Sequence, residues 1–210
     1  MSQQLTLSSL PLFPLNTVLF PGGELALRVF EVRYLDMVRK CHHAGAPFGV
    51  VALSSGSEVR KAGAPEEQLY ATGTLATIEE LQSPQAGLLA VRCKGGDRFQ
   101  IVEQRLLGHG LWVADVRIIP ADQSVAIPQE LQYCADLLAT ALHSLRERAP
   151  ETVGITPDAE QLNDCAWVSN RWCELLPLPL ELKQRLMSLD NPLARLELVS
   201  DVLEKTGISR

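Results

Sequence analysis

The sequence predicts an α+β protein in two parts: a small β-barrel or sandwich with one capping helix over residues 1–120, then an all-α helical bundle over residues 121–210. Three observations carry this. Apolar residues alternate at period two in short segments up to Pro120, and spacings of three and four replace them afterwards. The charge divides at the same place, with 11 basic and 11 acidic residues up to Pro120 and 8 against 14 beyond it, so the whole net charge of −6 lies in the second part. Glycine-bearing turns separate the short strands, as they do in small barrels and sandwiches.

The elements follow in order. From Leu10 to Phe20, Leu10, Leu12, Leu15, Val18 and Leu19 supply core, while Pro11 and Pro14 lack N–H donors and so predict an edge or irregular strand. Pro21-Gly22-Gly23 predicts a turn. A helix is predicted from Val29 to Ala44, where Phe30, Tyr34, Val38 and Cys41 share one side and Gly45 with Pro47 ends the run. Arg28, Glu31 and Arg33 beside that apolar side are placed to form ion pairs fixing the helix on the strands. Strands are predicted at Phe48 to Leu53 and Tyr70 to Leu81, joined by a polar loop with Gly56, Gly63 and Pro65. Leu88 to Cys93 and Arg98 to Val102 flank Lys94-Gly95-Gly96-Asp97, whose glycine pair predicts a hairpin turn. The last strand, Leu111 to Ile119, alternates Trp112, Ala114, Val116 and Ile118 with Val113, Asp115 and Arg117, which predicts one buried and one wet face.

Helices are predicted over Gln129 to Arg148, Asp158 to Leu176, Leu180 to Leu189 and Leu193 to Lys205. Leu131, Cys134, Ala135, Leu138, Leu142 and Leu145 form the stripe of the first. Thr156-Pro157 and Asn191-Pro192 each offer a capping side chain before a proline at the first helical position, and Gly207 can close the last helix.

Composition narrows the class. With 46% hydrophobic and 21% charged residues in 210, the chain is neither disordered nor membrane-embedded. No run reaches the roughly 18 apolar residues of a membrane span, and the start lacks a secretory signal, so the expected location is cytoplasmic. Five scattered cysteines (Cys41, Cys93, Cys134, Cys165, Cys173) make a poor disulfide framework and read as buried free thiols.

Chemistry-bearing motifs are scarce. The sequence shows no phosphate-cradling Gly-x-x-x-x-Gly-Lys-Ser/Thr loop, no Gly-x-Gly-x-x-Gly after a strand and no Gly-x-Ser-x-Gly elbow. His42, His43, His109 and His143 are the usual candidates for a general base, and none stands in a nucleophile motif. Glu66-Glu67 and Glu79-Glu80 are adjacent, so in extended chain they point apart. Cys41-His42-His43 cannot converge on one ion from a helix, and reads instead as histidines at a helix C-terminus. A neutral first part with scattered Arg and Lys argues against nucleic acid. The sequence therefore assigns no catalytic, cofactor-binding or metal-binding residue.

The run Leu10-Pro11-Leu12-Phe13-Pro14-Leu15-Asn16-Thr17-Val18-Leu19-Phe20-Pro21-Gly22-Gly23, with Leu27 through Val38, closely resembles the opening of the N-terminal substrate-recognition domain of Lon proteases. The resemblance continues through Phe48 to Val51, Gly73 to Ile78, Asp97 to Ile101, Trp112 to Arg117, Leu175 to Leu178, Leu182 to Gln184 and Asp190 to Leu196. It implies a barrel of the PUA-like type followed by a helical bundle, and a role in holding protein substrates or partners. It also implies a stand-alone form of that domain, without the ATPase and Ser-Lys protease domains of Lon proteases.

The expected function is thus a non-catalytic module that holds an unfolded polypeptide or a dedicated protein partner, without cofactor, nucleic acid or membrane. A small-molecule-binding or enzymatic barrel is the alternative, and nucleic-acid binding a further one. On a helical wheel Trp167 falls among Asn163, Asn170, Arg171 and Glu174, outside the stripe of Leu162, Cys165, Trp172 and Leu176, so it either packs against the barrel or is the candidate protein contact.

Overall fold

The computed structural model describes residues 5–58, 67–148 and 156–208. Gly63 and Pro65 of the predicted polar loop, and Glu66 of one carboxylate pair, lie outside the described residues. The chain divides into two compact units, one made of residues up to Ala121 with Pro179–Gln184, the other of Asp122–Leu178 with Arg185–Arg210.

Among the described residues the first unit holds six strands and one whole helix: β1 (Thr6–Leu15), β2 (Glu24–Val29), α1 (Val32–Ala44), β3 (Phe48–Ser55), β4 (Gln68–Gln85), β5 (Leu88–Leu106) and β6 (Trp112–Ile118). They pair in the order β2-β5-β4-β3-β1-β6, and β6 pairs again with β5, so five strands form a closed ring. β5 pairs along its first half with β2, from Val29↔Leu89 to Glu24↔Lys94, and along its second half with β6. β2 is thus added outside the ring.

The ring gives β1 two neighbours, one along each half, and its pairing with β6 shifts register between Leu7 and Leu10, so of the expected edge or irregular strand it is the irregular one. Its prolines are tolerated because the partner changes midway: Thr6 to Pro11 are in register with β6, Leu12 to Leu15 with β3. Each proline stands in a stretch with register to one side, where a missing donor costs no ladder bond on the other.

The glycine pair at 95–96 is not a turn. β5 continues through it with a shift of register against β4 between Gly95 and Arg98, and the true reversal lies at Gly87, whose φ is 78°. Gly95 is needed for close approach: its N–H donates to Gly23 O, its carbonyl accepts from Gly22 N–H, and a Cβ there would sit 2.3 Å from Phe20 O. Gly22, at φ 73°, makes the turn expected after Phe20.

The strands bury both faces. Leu10, Leu12, Val51, Phe99, Trp112, Ala114 and Val116 form one cluster. Phe13, Val50 and Val113, their neighbours in sequence, enter another with Tyr34, Met37, Val38 and Cys41 of α1. β6 therefore lacks the wet face predicted for its whole length; only Arg117 is exposed, and Asp115 is half-buried. Phe99 is wholly buried, and Gly49 and Gly73 make room for it, since a Cβ at either would come within 2.8 and 2.5 Å of its ring.

α1 begins at Val32, later than expected, because β2 keeps its alternation through Val29 and Glu31 precedes the helix in extended conformation. Tyr34, Val38 and Cys41 face inward as predicted, whereas Phe30 is 57% exposed. Gly45 ends the helix in the left-handed region at φ 60°, as its sequence position predicts.

The second unit is helical: α2 (Gln132–Arg148), α3 (Cys165–Leu175), the end of α4 (Leu180–Ser188) and α5 (Pro192–Lys205), with single turns at Gln129–Leu131 and Gln161–Asn163. The helix predicted from Asp158 is broken at Asp164. There the chain is extended, and it pairs with the preceding segment through Cys165 N–H to Val125 O, Ile127 N–H to Asn163 O and the bridge Ala126↔Asp164. Asp164 caps α3 by accepting the Trp167 N–H at 2.8 Å. Thr156 caps no helix; Asp158 accepts from Gln161 N–H instead. Asn191 does cap α5, accepting from Ala194 N–H at 3.1 Å with Pro192 behind it, and Gly207 closes it at φ 75°.

Polar groups in this unit are tied down. Arg195, 1% exposed, donates to the carbonyls of Leu186 and Leu189, to Asn170 Oδ1, and to Asp122 Oδ2 at 2.7 Å. The Trp172 indole donates to Cys134 O at 2.9 Å.

Candidate functional site

The junction of β2 and α1, residues 28–33, places apolar side chains in solvent beside two cavities. β2 requires Leu27 and Val29 to face the core, so Arg28 and Phe30 are turned outward. Glu31 then starts the helix, leaving Val32 74% exposed at its first position. On one side of the junction a cavity of about 250 Å³ is lined by Phe13, Leu15, Leu27, Phe30, Tyr34 and Glu58. On the other, a largely apolar cavity of about 430 Å³ is lined by Val32, Arg33, Met37, Lys40, His109 and Leu111.

A buried ion network holds this junction. Arg33 pairs with Glu31 at 3.1 Å and with Glu67 at 3.4 Å, and its Nη1 donates to Gly110 O at 2.7 Å. Glu67 also accepts from the Trp112 indole N–H at 2.8 Å. These bonds satisfy charges whose burial would otherwise be costly. The guanidinium lies 4.5 Å from the Tyr34 ring centroid, and Phe13 stacks on the same ring at 4.1 Å between centroids. Arg33 and Glu31 thus form the ion pair the sequence proposed, with Glu67 as the unforeseen third member. Arg28 remains exposed. A third opening of about 600 Å³ lies beside Glu67 and Trp112 and is predominantly polar.

The structure does not draw the titratable candidates together. His42, His43, His109 and His143 are all exposed, and His143 lies 3.4 Å from Glu147 one helical turn on. All five cysteines are buried and free, as expected. Burial, with Glu79 adding to it, pushes the Cys93 thiol up to about 12; burial, with Asp164 adding to it, pushes Cys165 up to about 11. Burial raises Cys41 and Cys134 as well. Such shifts are opposite to those of an activated nucleophile. Among the described residues, no three His, Cys, Asp or Glu side chains gather as metal ligands would.

Trp167 is half-buried near the start of α3. Its predicted neighbours Asn170 and Arg171 are buried, not solvated, and the Arg171 guanidinium lies 5.9 Å from the Trp167 ring centroid. Sequence reasoning missed Phe30 and Val32. The signal was present, since the alternation of Leu25, Leu27 and Val29 puts Phe30 out of phase, but its four-residue spacing to Tyr34 suggested the buried side of a helix.

Among the described residues no helix is long and apolar enough to cross a membrane. The crystal structure of a Lon N-terminal domain protein from Xanthomonas campestris superposes with a TM-score of 0.69 at 34% identity, covering 93% of this chain and 98% of that one. The N-terminal domain of the Mycobacterium avium complex Lon protease gives a TM-score of 0.59 at 18% identity, over 92% of this chain and 96% of that one, a likeness of fold. A Lon protease of Anaeromyxobacter dehalogenans (strain 2CP-C) is 25% identical over 198 residues, 93% of this chain but 23% of that protein. The family model of the ATP-dependent protease La (LON) substrate-binding domain matches residues 9–205. The mixed six-stranded sheet, the helices after it and this match over most of its length make the chain a member of the Lon substrate-binding domain family.

Proposed function

We propose that this chain is a non-catalytic module that binds unfolded or extended polypeptide, with the β2–α1 junction of the first unit as the contact surface. The observation that carries the reading is the pair of exposed apolar residues, Phe30 and Val32, each beside its own cavity, in a chain of the substrate-binding family. Apolar side chains of a client would fill the cavities, while the Arg33 network keeps the junction rigid and so lowers the ordering cost of binding. In this reading the closed ring is a PUA-like barrel over residues 1–120, the helices over 121–210 are a bundle that contributes no catalytic group, and the protein works in the cytoplasm.

Trp167 is proposed as a second contact, supported by its partial exposure above buried Asn170 and Arg171. The test is a fluorescence-anisotropy titration with a labelled, permanently unfolded model protein and with its folded counterpart, with cleavage assayed with and without ATP. Binding to the unfolded form alone, without cleavage, is expected. Phe30→Ser combined with Val32→Ser should weaken it about tenfold, and Trp167→Ala should weaken it by a smaller factor while the protein stays folded. Equal affinity for both forms, or any cleavage, would overturn the reading.

A further inference from the structure

The smaller cavity has an unusual wall: residues 26–31 line it consecutively, the first four of them in β2. Side chains of a strand alternate between faces, so four successive strand residues line one space only when that space lies along the strand's hydrogen-bonding edge. β2 has β5 as its single strand partner among the described residues, and its other edge carries alternate N–H and C=O groups. Beyond the edge stand Phe13 and Leu15, from the stretch of β1 that is in register with β3. Among the described residues no strand occupies the seam between β2 and the end of β1.

We propose that this seam receives an extended client segment as an added strand along β2. The inference rests on the polypeptide-binding reading and deepens it by naming the mode. Only an extended polypeptide repeats donors and acceptors at the two-residue interval that the edge presents. Side chains of the added strand that point inward meet Phe13, Leu15 and Tyr34, so the segment is apolar at that position.

The outward face of β2 sets its flanks. Glu24, Ala26 and Arg28 are exposed on one face, and neither Glu24 nor Arg28 makes an ion pair with a described residue. The matching segment carries an acidic residue opposite Arg28, a basic one opposite Glu24, and an apolar residue between them.

The test uses the full chain and synthetic ten-residue peptides rich in Val and Thr, with Glu and Lys four residues apart. Two derivatives carry N-methyl groups on alternate amides, one on the odd and one on the even positions. A strand added along β2 turns one set of amides toward β2 and the other away from it, so one derivative should lose about tenfold or more in affinity while the other loses less. Exchanging Glu and Lys in the peptide should cost about threefold, and Glu24→Arg with Arg28→Glu should restore it. Amides of residues 24–29 should gain protection from hydrogen exchange on binding.

Equal effects of the two methylation patterns overturn the proposal. So does binding of the unfolded model protein without binding of the peptide, which leaves the polypeptide-binding reading standing. If neither binds, that reading fails, and this one with it. Dimerisation of the free chain with protection of residues 24–29 before any peptide is added would assign the edge to a second copy and also overturn it.

Discussion

Cys93 sits with no exposed surface between β2 and β4, paired with Leu25 and Ile78, and illustrates how burial alone sets chemistry at a single residue. Its thiol is pushed from 9.0 to about 12 by desolvation first and the Glu79 carboxylate second. The unfolded chain would release that proton near pH 9, the folded chain only near 12, so unfolding releases a proton in between and stability falls as pH rises. The expected loss is about 1.4 kcal/mol per pH unit for a thiol that differs fully between the states. Cys165, held up to about 11, adds to it over the lower part of that range. Urea midpoints measured from pH 8 to 11.5 should decline, and Cys93→Ala should flatten the slope. A slope unchanged by the substitution would show that other groups govern the alkaline limb. Burial of the thiols was legible in the sequence, because each cysteine stood in an apolar pattern. The place of Arg33 was half legible: Glu31 is two residues away, but Glu67 and Trp112 come from distant strands.

At the scale of elements, the two neighbouring glycines of β5 make a controlled comparison. A Cβ at Gly95 meets the Phe20 carbonyl oxygen at 2.3 Å and the Leu19 side chain at 3.1 Å, whereas at Gly96 its nearest neighbour is Leu75 O at 3.6 Å. Neither position has a left-handed backbone. Gly95→Ala should therefore lower stability by about 3 kcal/mol, through backbone displacement in a packed region, and Gly96→Ala should change it by less than about 1. Far-UV circular dichroism during urea titration would measure both; similar losses for the two would mean that the approach of Phe20 to β5 is not what requires glycine. The hairpin expected at this pair shows why local reading failed. Glycine was read as a turn residue, but here it is required by a strand that must pass close to a segment about 75 residues earlier in the sequence. Asp164 is the same kind of case. The predicted helix is interrupted because residues 125–127 compete for its backbone groups, and those partners have no local signature.

For the whole molecule, charge and cavity character act together. The part up to Pro120 is neutral by count and the cavities beside Phe30 and Val32 are mainly apolar, so binding of unfolded polypeptide should depend weakly on salt. An oligonucleotide, by contrast, needs clustered cations to displace its counterions. Anisotropy titrations with a 20-nucleotide single strand should show no saturable binding at either low or physiological salt. Saturable binding that weakens steeply with salt would revive the nucleic-acid alternative. The net charge of −6 from the second part acts in the same direction, repelling phosphates at long range.

The sequence by itself determined the succession of a β-rich part and a helical part, the caps at Gly45, Asn191 and Gly207, the apolar residues of the core and the family signature. All of these are encoded in spacings within a few residues. Tertiary structure alone decided the closure of five strands into a ring, the passage of β5 through Gly95 and the break at Asp164. Each of these depends on which distant backbone comes to occupy a hydrogen-bonding edge. The site we propose belongs to this second group: it lies on the edge of β2 that has no strand partner among the described residues, and nothing in the sequence beside that edge marks it.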